Sequence, residues 1–94
     1  MAYVYILKSL SFPRQLYVGV TTDLSQRLNS HNTGRCAHTS RFMPWEIIYT
    51  ESFEDKASAL KRERQIKGWS RAKKEALIAG ERGELRNLAR RRVF

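Results

Sequence analysis

A carboxylate lies within a predicted apolar helix face in the second half of the sequence. The stretch before Gly68 has no helix breaker, and its periodicity places Glu63 in the same apolar arc as Ala59 and Ile66. An ion pair with Lys67, four residues on, would contribute only about 0.3–0.5 kcal/mol. Partial desolvation of a carboxylate costs several kcal/mol. We therefore expect Glu63 to have a stronger partner, either a buried arginine or a divalent cation.

A second pair of polar residues borders a leucine stripe earlier in the chain. Arg27 and His31 are one helical turn apart, beside Leu24 and Leu28. An arginine stem can cover apolar surface while its head reaches water, and His31 can be a hydrogen-bonded polar neighbour with no role in chemistry. However, a guanidinium at the rim of a sheet is also suited to hold a phosphate through two parallel hydrogen bonds. Arg27 is therefore a candidate phosphate ligand. His31 is either a functional residue or a hydrogen-bonded neighbour with no role in chemistry.

Three tyrosines occur on two short predicted strands near the N-terminus. Tyr3 and Tyr5 are two residues apart and share one strand face, and Tyr17 lies on the next strand. Aromatic residues favour strands, so each tyrosine alone can be a packing residue. A buried phenol nevertheless needs a hydrogen-bond partner, which an arginine and a carboxylate nearby would supply.

Other candidate ligands give weaker indications. His31, Cys36 and His38 are three possible zinc ligands, fewer than the four that a structural zinc site needs, so zinc is not predicted. A single cysteine excludes an intramolecular disulfide, and no apolar run approaches the roughly 20 residues of a membrane span. We expect a cytoplasmic protein with no membrane partner.

The charge balance points to a polyanionic partner. Eighteen Lys and Arg against nine Asp and Glu give a net charge of +9 over 94 residues. Cations that neutralise phosphates release condensed counterions, which favours binding to nucleic acid. Small ribosomal proteins and membrane-surface proteins are also basic, so charge alone does not identify the partner.

The order of elements predicts an α+β domain. Strands are expected at residues 3–9, 16–21 and 45–53, with a helix after the first two strands and two helices after the third. Capping residues are expected at the starts of the first and third helices, namely Asp23 (with Thr22 as a rival) and Ser70, and the second helix is expected from Asp55 onward. Glycines are expected at the helix ends: Gly34, Gly68 and Gly80. We assign residues 1–80 to one domain and residues 81–94 to a basic tail or short docked helix.

The motifs together resemble those of the GIY-YIG nuclease superfamily. "YVY" at Tyr3–Tyr5 and "YVG" at Tyr17–Gly19 are similar to its paired signature, followed in order by Arg27 and Glu63. The similarity covers roughly residues 3–79 and is to small single-domain members and to the N-terminal domain of the excinuclease C subunit. It implies a small three-stranded, mainly antiparallel sheet flanked by three or more helices.

The resemblance also implies an activity and a set of site residues. Members hydrolyse phosphodiester bonds of DNA with one divalent ion, Mg²⁺ or Mn²⁺, often in DNA repair or recombination. By position, Tyr5, Tyr17, Arg27 and His31 would be catalytic residues and Glu63 the metal ligand. DNA is the expected partner and RNA an alternative, and a further protein could supply substrate specificity.

Two departures from the family pattern leave rival hypotheses open. Tyr3 replaces the first glycine of the signature, and Val20 stands where some nuclease members carry a lysine. A nucleic-acid-binding or repair-accessory module with a vestigial site is therefore the alternative. A structural RNA-binding protein is a third hypothesis.

Overall fold

The computed structural model of this chain describes residues 1–87, with side chains described through residue 80. Within that range three strands and four helices follow in the order β1 Ala2–Ser9, β2 Leu16–Thr21, α1 Leu24–Asn32, α2 Ala37–Ser40, β3 Trp45–Phe53, α3 Lys56–Lys67 and α4 Arg71–Asn87. The predicted α+β class and three-stranded sheet are confirmed. The short helix α2 was expected to be loop.

Strand β1 is the centre of the sheet. The strand order is β2-β1-β3, and both neighbours pair with β1 in antiparallel fashion. The β1–β2 register places Tyr5 opposite Gly19 and Leu7 opposite Tyr17, so these four side-chain positions share one face. A register shift between Ile6 and Leu7 interrupts the β1–β3 ladder.

Helices cover both faces of the sheet, which makes β1 buried on both sides. The face of Val4 and Ile6 packs against α3 and α4 through Ala59, Ile66 and Ile78. The opposite face belongs to a second cluster, built from Tyr5, Leu7 and Trp45 with Leu24 and Leu28 of α1 packed against it. Burial on both faces explains why β1 reads as a nearly continuous apolar run.

Helix α1, which bears Arg27 and His31, is closed at both ends by local hydrogen bonds. Asp23 Oδ1 accepts from the backbone N–H of Gln26 at 3.0 Å, which confirms Asp23 rather than Thr22 as the N-cap. At the other end Gly34 has φ +80°, and the next residue's N–H donates to the Ser30 carbonyl at 3.2 Å. This hydrogen bond and the positive φ of Gly34 form a Schellman motif, which confirms the helix end predicted at the glycine.

Helices α3 and α4 begin as predicted, but α4 does not end at the predicted glycine. Asp55 and Ser70 cap their helices through bonds of 2.7 Å to Ser58 N and 3.2 Å to Lys73 N. Helix α4 continues past Gly80 to Asn87, because one glycine costs a helix only about 1 kcal/mol relative to alanine. The predicted division at residue 80 stays a prediction, since residues 88–94 lie outside the described range and the tail's side chains are not described.

In the part of the chain described here, no helix combines the length and apolar character that crossing a bilayer requires.

Candidate active site

The phenol of Tyr5 lies against the backbone of Gly19 on the neighbouring strand. Tyr5 is only 1% exposed. A Cβ atom added at Gly19 would stand 2.5 Å from the Tyr5 hydroxyl and 3.0 Å from Cε2 of Tyr17. Any side chain would thus displace one of the two phenols, so the glycine of "YVG" is needed to admit the tyrosine of "YVY".

The Tyr5 hydroxyl joins Arg27 and His31 in a buried hydrogen-bond chain. Arg27 Nε donates to the phenol oxygen at 3.2 Å, and His31 Nε2 lies 3.0 Å from the same oxygen. His31 Nδ1 is 2.9 Å from Thr39 Oγ1, which can donate to the Cys36 carbonyl at 3.3 Å. Every buried polar atom has a partner if Tyr5 donates to His31 Nε2 and His31 Nδ1–H donates to Thr39. We assign this tautomer.

Thr39 is a site-building residue that the sequence did not reveal. Its carbonyl accepts from Trp45 Nε1 at 2.9 Å, which connects helix α2 to the start of β3. The side chain of Asn32 accepts from the backbone N–H of Trp45 at 2.6 Å and donates to its carbonyl at 3.0 Å. A one-turn helix has no periodicity, so no sequence signal pointed to Thr39.

Burial and the Arg27 charge set the protonation states of this network. Burial raises the pKa of Tyr5 to about 12, although the hydrogen bond from Arg27 acts in the opposite direction. Burial lowers the pKa of His31, and the positive charge of Arg27 lowers it further. The hydrogen bond to Tyr5 raises the pKa of Arg27. At neutral pH, Tyr5 is therefore a protonated phenol, His31 a neutral imidazole and Arg27 a cation.

Tyr17 lies at the solvent side of the same pocket. It is half-buried, and its ring centroid is 4.8 Å from that of His31 and 6.2 Å from that of Tyr5. The ammonium of Lys67 lies 5.9 Å from the Tyr17 ring centroid. The two motif tyrosines thus differ in environment: Tyr5 is locked inside, and Tyr17 is open to a ligand.

Glu63 forms an ion pair with Lys67, whose ammonium lies near Tyr17. Its side chain is 14% exposed, and Oε2 lies 2.9 Å from Lys67 Nζ, the same ammonium that approaches Tyr17. Within residues 1–80 the carboxylate makes no hydrogen bond to a buried arginine, so that expected partner was wrong. Its partner is the lysine, 51% exposed. The Lys67 ammonium thus contacts the Glu63 carboxylate and also lies near the Tyr17 ring.

Tyr3 and Val20, the two positions that depart from the family pattern, take no part in the hydrogen-bond network. Tyr3 is half-buried and pairs with Thr21 in the β1–β2 ladder. Val20 packs on the opposite face of the sheet, against the core cluster beneath α3. Two cations, Lys67 of α3 and Arg27 of α1, lie near Tyr17, and neither comes from the strand position after the glycine.

The donor set fits a divalent ion only if a substrate completes its shell. Among the described residues, no group of three or more His, Cys, Asp or Glu side chains is placed to hold a metal. Mg²⁺ commonly binds one or two carboxylates, with water and phosphate oxygens as the other ligands. Glu63, half-buried at the pocket, fits that pattern. Both His31 nitrogens already have partners, which disfavours a zinc site with Cys36 and His38.

Comparisons with known proteins agree with this geometry. Residues 1–76 match the family described as the GIY-YIG catalytic domain. A UPF0213 protein of Natronomonas pharaonis is 43% identical over 82 residues, which cover 86% of this chain and 94% of the relative. Another UPF0213 protein, from Staphylococcus saprophyticus, is 41% identical over 78 residues, which cover 82% of this chain and 93% of the relative.

A solved structure shares the fold. The solution NMR structure of a UPF0213 protein from Bacillus halodurans superposes with a TM-score of 0.53 at 36% identity, covering 84% of each chain. The family match spans the paired strands and helices α1 and α3, which carry every candidate residue named above. This chain belongs to the GIY-YIG family of nuclease-like domains.

Proposed function

We propose that this chain is a divalent-metal-dependent DNA endonuclease domain that hydrolyses phosphodiester bonds. The observation that carries the proposal is the convergence of Tyr5, Arg27 and His31 in one buried network beside Tyr17. Bringing Arg27 and His31 against the buried Tyr5 hydroxyl removes water from both side chains, which costs free energy. Binding and cleavage of a phosphate would explain why these polar groups lie together beside Tyr17.

Arg27 is the residue that binds the scissile phosphate. Its Nε donates to Tyr5, and Tyr17 lies close enough to the same guanidinium to contribute to its raised pKa. A guanidinium fixed at one nitrogen presents the others in a defined plane, which suits two phosphate oxygens. Arg27 thus neutralises the charge that develops on the non-bridging oxygens during attack.

Glu63 is the residue that holds the divalent ion. A divalent ion held there would supply positive charge to neutralise the phosphate during cleavage. Lys67 pairs with Glu63 in the free protein and must give up that ion pair when the ion binds. The pair is partly exposed, so releasing it costs only a few tenths of a kcal/mol.

Tyr17 is the general base. In its ionised form, Tyr17 takes a proton from the attacking water, the water oxygen bonds to phosphorus, and the bond from phosphorus to the leaving oxygen breaks. Lys67 and Arg27 are cations that lie close to this side chain. Tyr5 positions Arg27 and stays protonated, because burial disfavours its charged form.

The binding-only alternative also has an observation in its favour. Lys67 already neutralises Glu63, and Val20 supplies no cation beside Tyr17. A module of that kind would bind DNA in a salt-dependent way, and its affinity would depend on basic residues such as Arg90, Arg91 and Arg92 rather than on Glu63.

Cleavage of labelled branched, nicked and single-stranded DNA, with Mg²⁺ or Mn²⁺ and with EDTA, separates the two functions. We expect metal-dependent products that disappear in Glu63→Gln and persist in Glu75→Gln, a matched carboxylate change on exposed α4. Circular dichroism checks that each variant is folded. Equal background cleavage by the unchanged protein and Glu63→Gln on all three substrates would reject the nuclease.

A further inference from the structure

The loop between β1 and β2 presents apolar side chains to solvent. We call residues 10–14, Leu10 to Arg14, the hairpin tip. Leu10 is 53% exposed and Phe12 is 52% exposed, and Pro13 lies beside them. Exposed aromatic and aliphatic groups in one short loop mark an interaction surface more often than single scattered ones do.

Hydrogen bonds hold the tip in place, so its exposure does not come from a loose loop. The buried hydroxyl of Ser9 donates to the Phe42 carbonyl at 2.7 Å and accepts from the Phe12 N–H at 2.9 Å. The Leu10 N–H donates to the Pro44 carbonyl at 2.9 Å. A preformed tip loses little conformational entropy when it binds.

An aromatic row connects the tip to the candidate active site. The Phe12 ring meets Phe42 edge to face with 5.4 Å between centroids, and Phe42 meets Trp45 at 6.3 Å. Trp45 in turn lies 6.4 Å from Tyr17. Because Trp45 is buried, this row does not form a surface path, but it limits the distance between the Phe12 and Tyr17 rings to at most about 18 Å. A DNA strand bound at Tyr17 can span that distance with a few nucleotides.

Two exposed arginines lie near the Phe12 ring. Arg14 belongs to the tip itself, and Arg41 is next to Phe42. Two carboxylates are also close, because Glu46 and Glu75 line a groove together with Lys8 and Pro13. An apolar face flanked by cations is what stacking on a base next to its phosphate requires.

We propose that the hairpin tip, through Phe12, stacks on an unpaired base of the DNA strand whose phosphate enters the site. This inference deepens the proposed function: the substrate class is DNA with unpaired bases beside the cut, such as forks and flaps, rather than continuous duplex. Phe12 acts as a specificity-determining residue, and Arg14 holds the adjoining phosphate.

Binding in EDTA tests the proposal without cleavage. The probes are a DNA fork carrying 2-aminopurine at the first unpaired position and a duplex of the same length, measured by fluorescence anisotropy. Phe12→Ala should weaken fork binding about tenfold while duplex binding changes less than about twofold. The 2-aminopurine emission, quenched on the fork by the unchanged protein, should recover.

Three further variants sharpen the result. Phe12→Trp keeps a stacking ring and should restore fork binding and quenching, and Phe12→Leu keeps only apolar bulk and should not. Arg14→Gln should lower the slope of log affinity against log salt by about one, which Phe12→Ala leaves unchanged. Because Phe12 is half exposed, none of these changes is expected to unfold the chain.

Two outcomes would overturn the proposal: equal affinities of Phe12→Ala and the unchanged protein for the fork, or a Phe12→Ala change in sedimentation that shows the tip joins two copies of the chain. If Phe12→Ala weakens binding to the fork selectively and the unchanged protein cleaves no DNA, the role of the tip is supported and the nuclease function is rejected. If the protein cleaves forks and Phe12→Ala cleaves them at the same rate, only the role of the tip is rejected.

Discussion

Tyr5 and Gly19 face each other across β1 and β2 with no room for a side chain between them. A Cβ atom at position 19 would lie 2.5 Å from the Tyr5 hydroxyl and 2.7 Å from its Cζ. The bond from that hydroxyl to Arg27 and its contact with His31 both depend on this position. The second signature triplet therefore contains a glycine because the first contains a tyrosine.

Replacing this glycine should damage stability and the site together. Gly19→Ala forces the Tyr5 phenol out of place, and we expect a loss of about 1–3 kcal/mol in the free energy of unfolding. Gly80→Ala is the matched control: a Cβ added there meets no atom of another described element within 4 Å, and alanine should stabilise α4 by up to about 1 kcal/mol. Urea denaturation measures both. Equal stability of Gly19→Ala and the unchanged protein would show that Tyr5 can move at no cost.

The buried histidine should make stability depend on pH in a defined direction. The pKa of His31 is lowered by burial and by Arg27, below the value near 6.5 of an unfolded histidine. Between the two values the unfolded chain binds more protons, so stability is lost as pH falls through about 6.5 toward the folded pKa. His31→Gln should flatten urea-measured stability between about pH 7 and 5.5, whereas exposed His38→Gln should not. An equal slope in both variants would contradict the lowered pKa of His31.

An ion pair on the other side of the molecule should matter more than its surface counterparts. Arg62 binds both oxygens of Glu51, at 2.9 Å and 3.0 Å, and Tyr49 donates to the same carboxylate. Burial alone would raise the pKa of Glu51, but these hydrogen bonds hold it below its usual range. Arg62→Lys keeps the positive charge but cannot form the bidentate contact with Glu51. We therefore expect the free energy of unfolding to fall by about 1–2 kcal/mol.

The control for that change is Arg71→Lys, because the Arg71–Glu75 pair is exposed. It should cost no more than about 0.5 kcal/mol in the same denaturation experiment. Similar losses in the two variants would show that the Glu51 pair is no stronger than a surface contact.

Local signals in the sequence predicted the parts of the fold that local physics determines. Asp23, Gly34 and Ser70 act within one turn of the chain, and the structure places each where the pattern predicted. Strand positions followed from β-branched and aromatic residues, and the antiparallel start followed from the short β1–β2 connection.

The rest depends on contacts between distant segments, which single-sequence patterns do not contain. Thr39 matters only because α2 folds under His31, and the burial of Tyr5 but not Tyr17 depends on β1 being the central strand. The spacing of Glu63 and Lys67 indicated that they could form an ion pair, but it gave no sign that the same ammonium also lies beside Tyr17.

The free protein should show little specific affinity for a divalent ion. One carboxylate at the pocket, paired with Lys67, leaves most of the ion's shell to be filled by phosphate and water. MgCl₂ and NaCl at matched ionic strength should therefore give the same Tm in the absence of DNA. A Tm increase specific to Mg²⁺ and abolished by Glu63→Gln would show a metal site complete without substrate.

The most direct test of the account is single-turnover cleavage of a DNA fork with Mg²⁺ by Tyr17→Phe, Glu63→Gln and the double variant. The two side chains act on one phosphate in this account, so each single change should slow cleavage at least about a hundredfold. The double variant should be little slower than the slower single variant. Tyr3→Phe, a phenol outside the network, should cleave at the unchanged rate. Cleavage by Tyr17→Phe or Glu63→Gln at that unchanged rate would contradict the account.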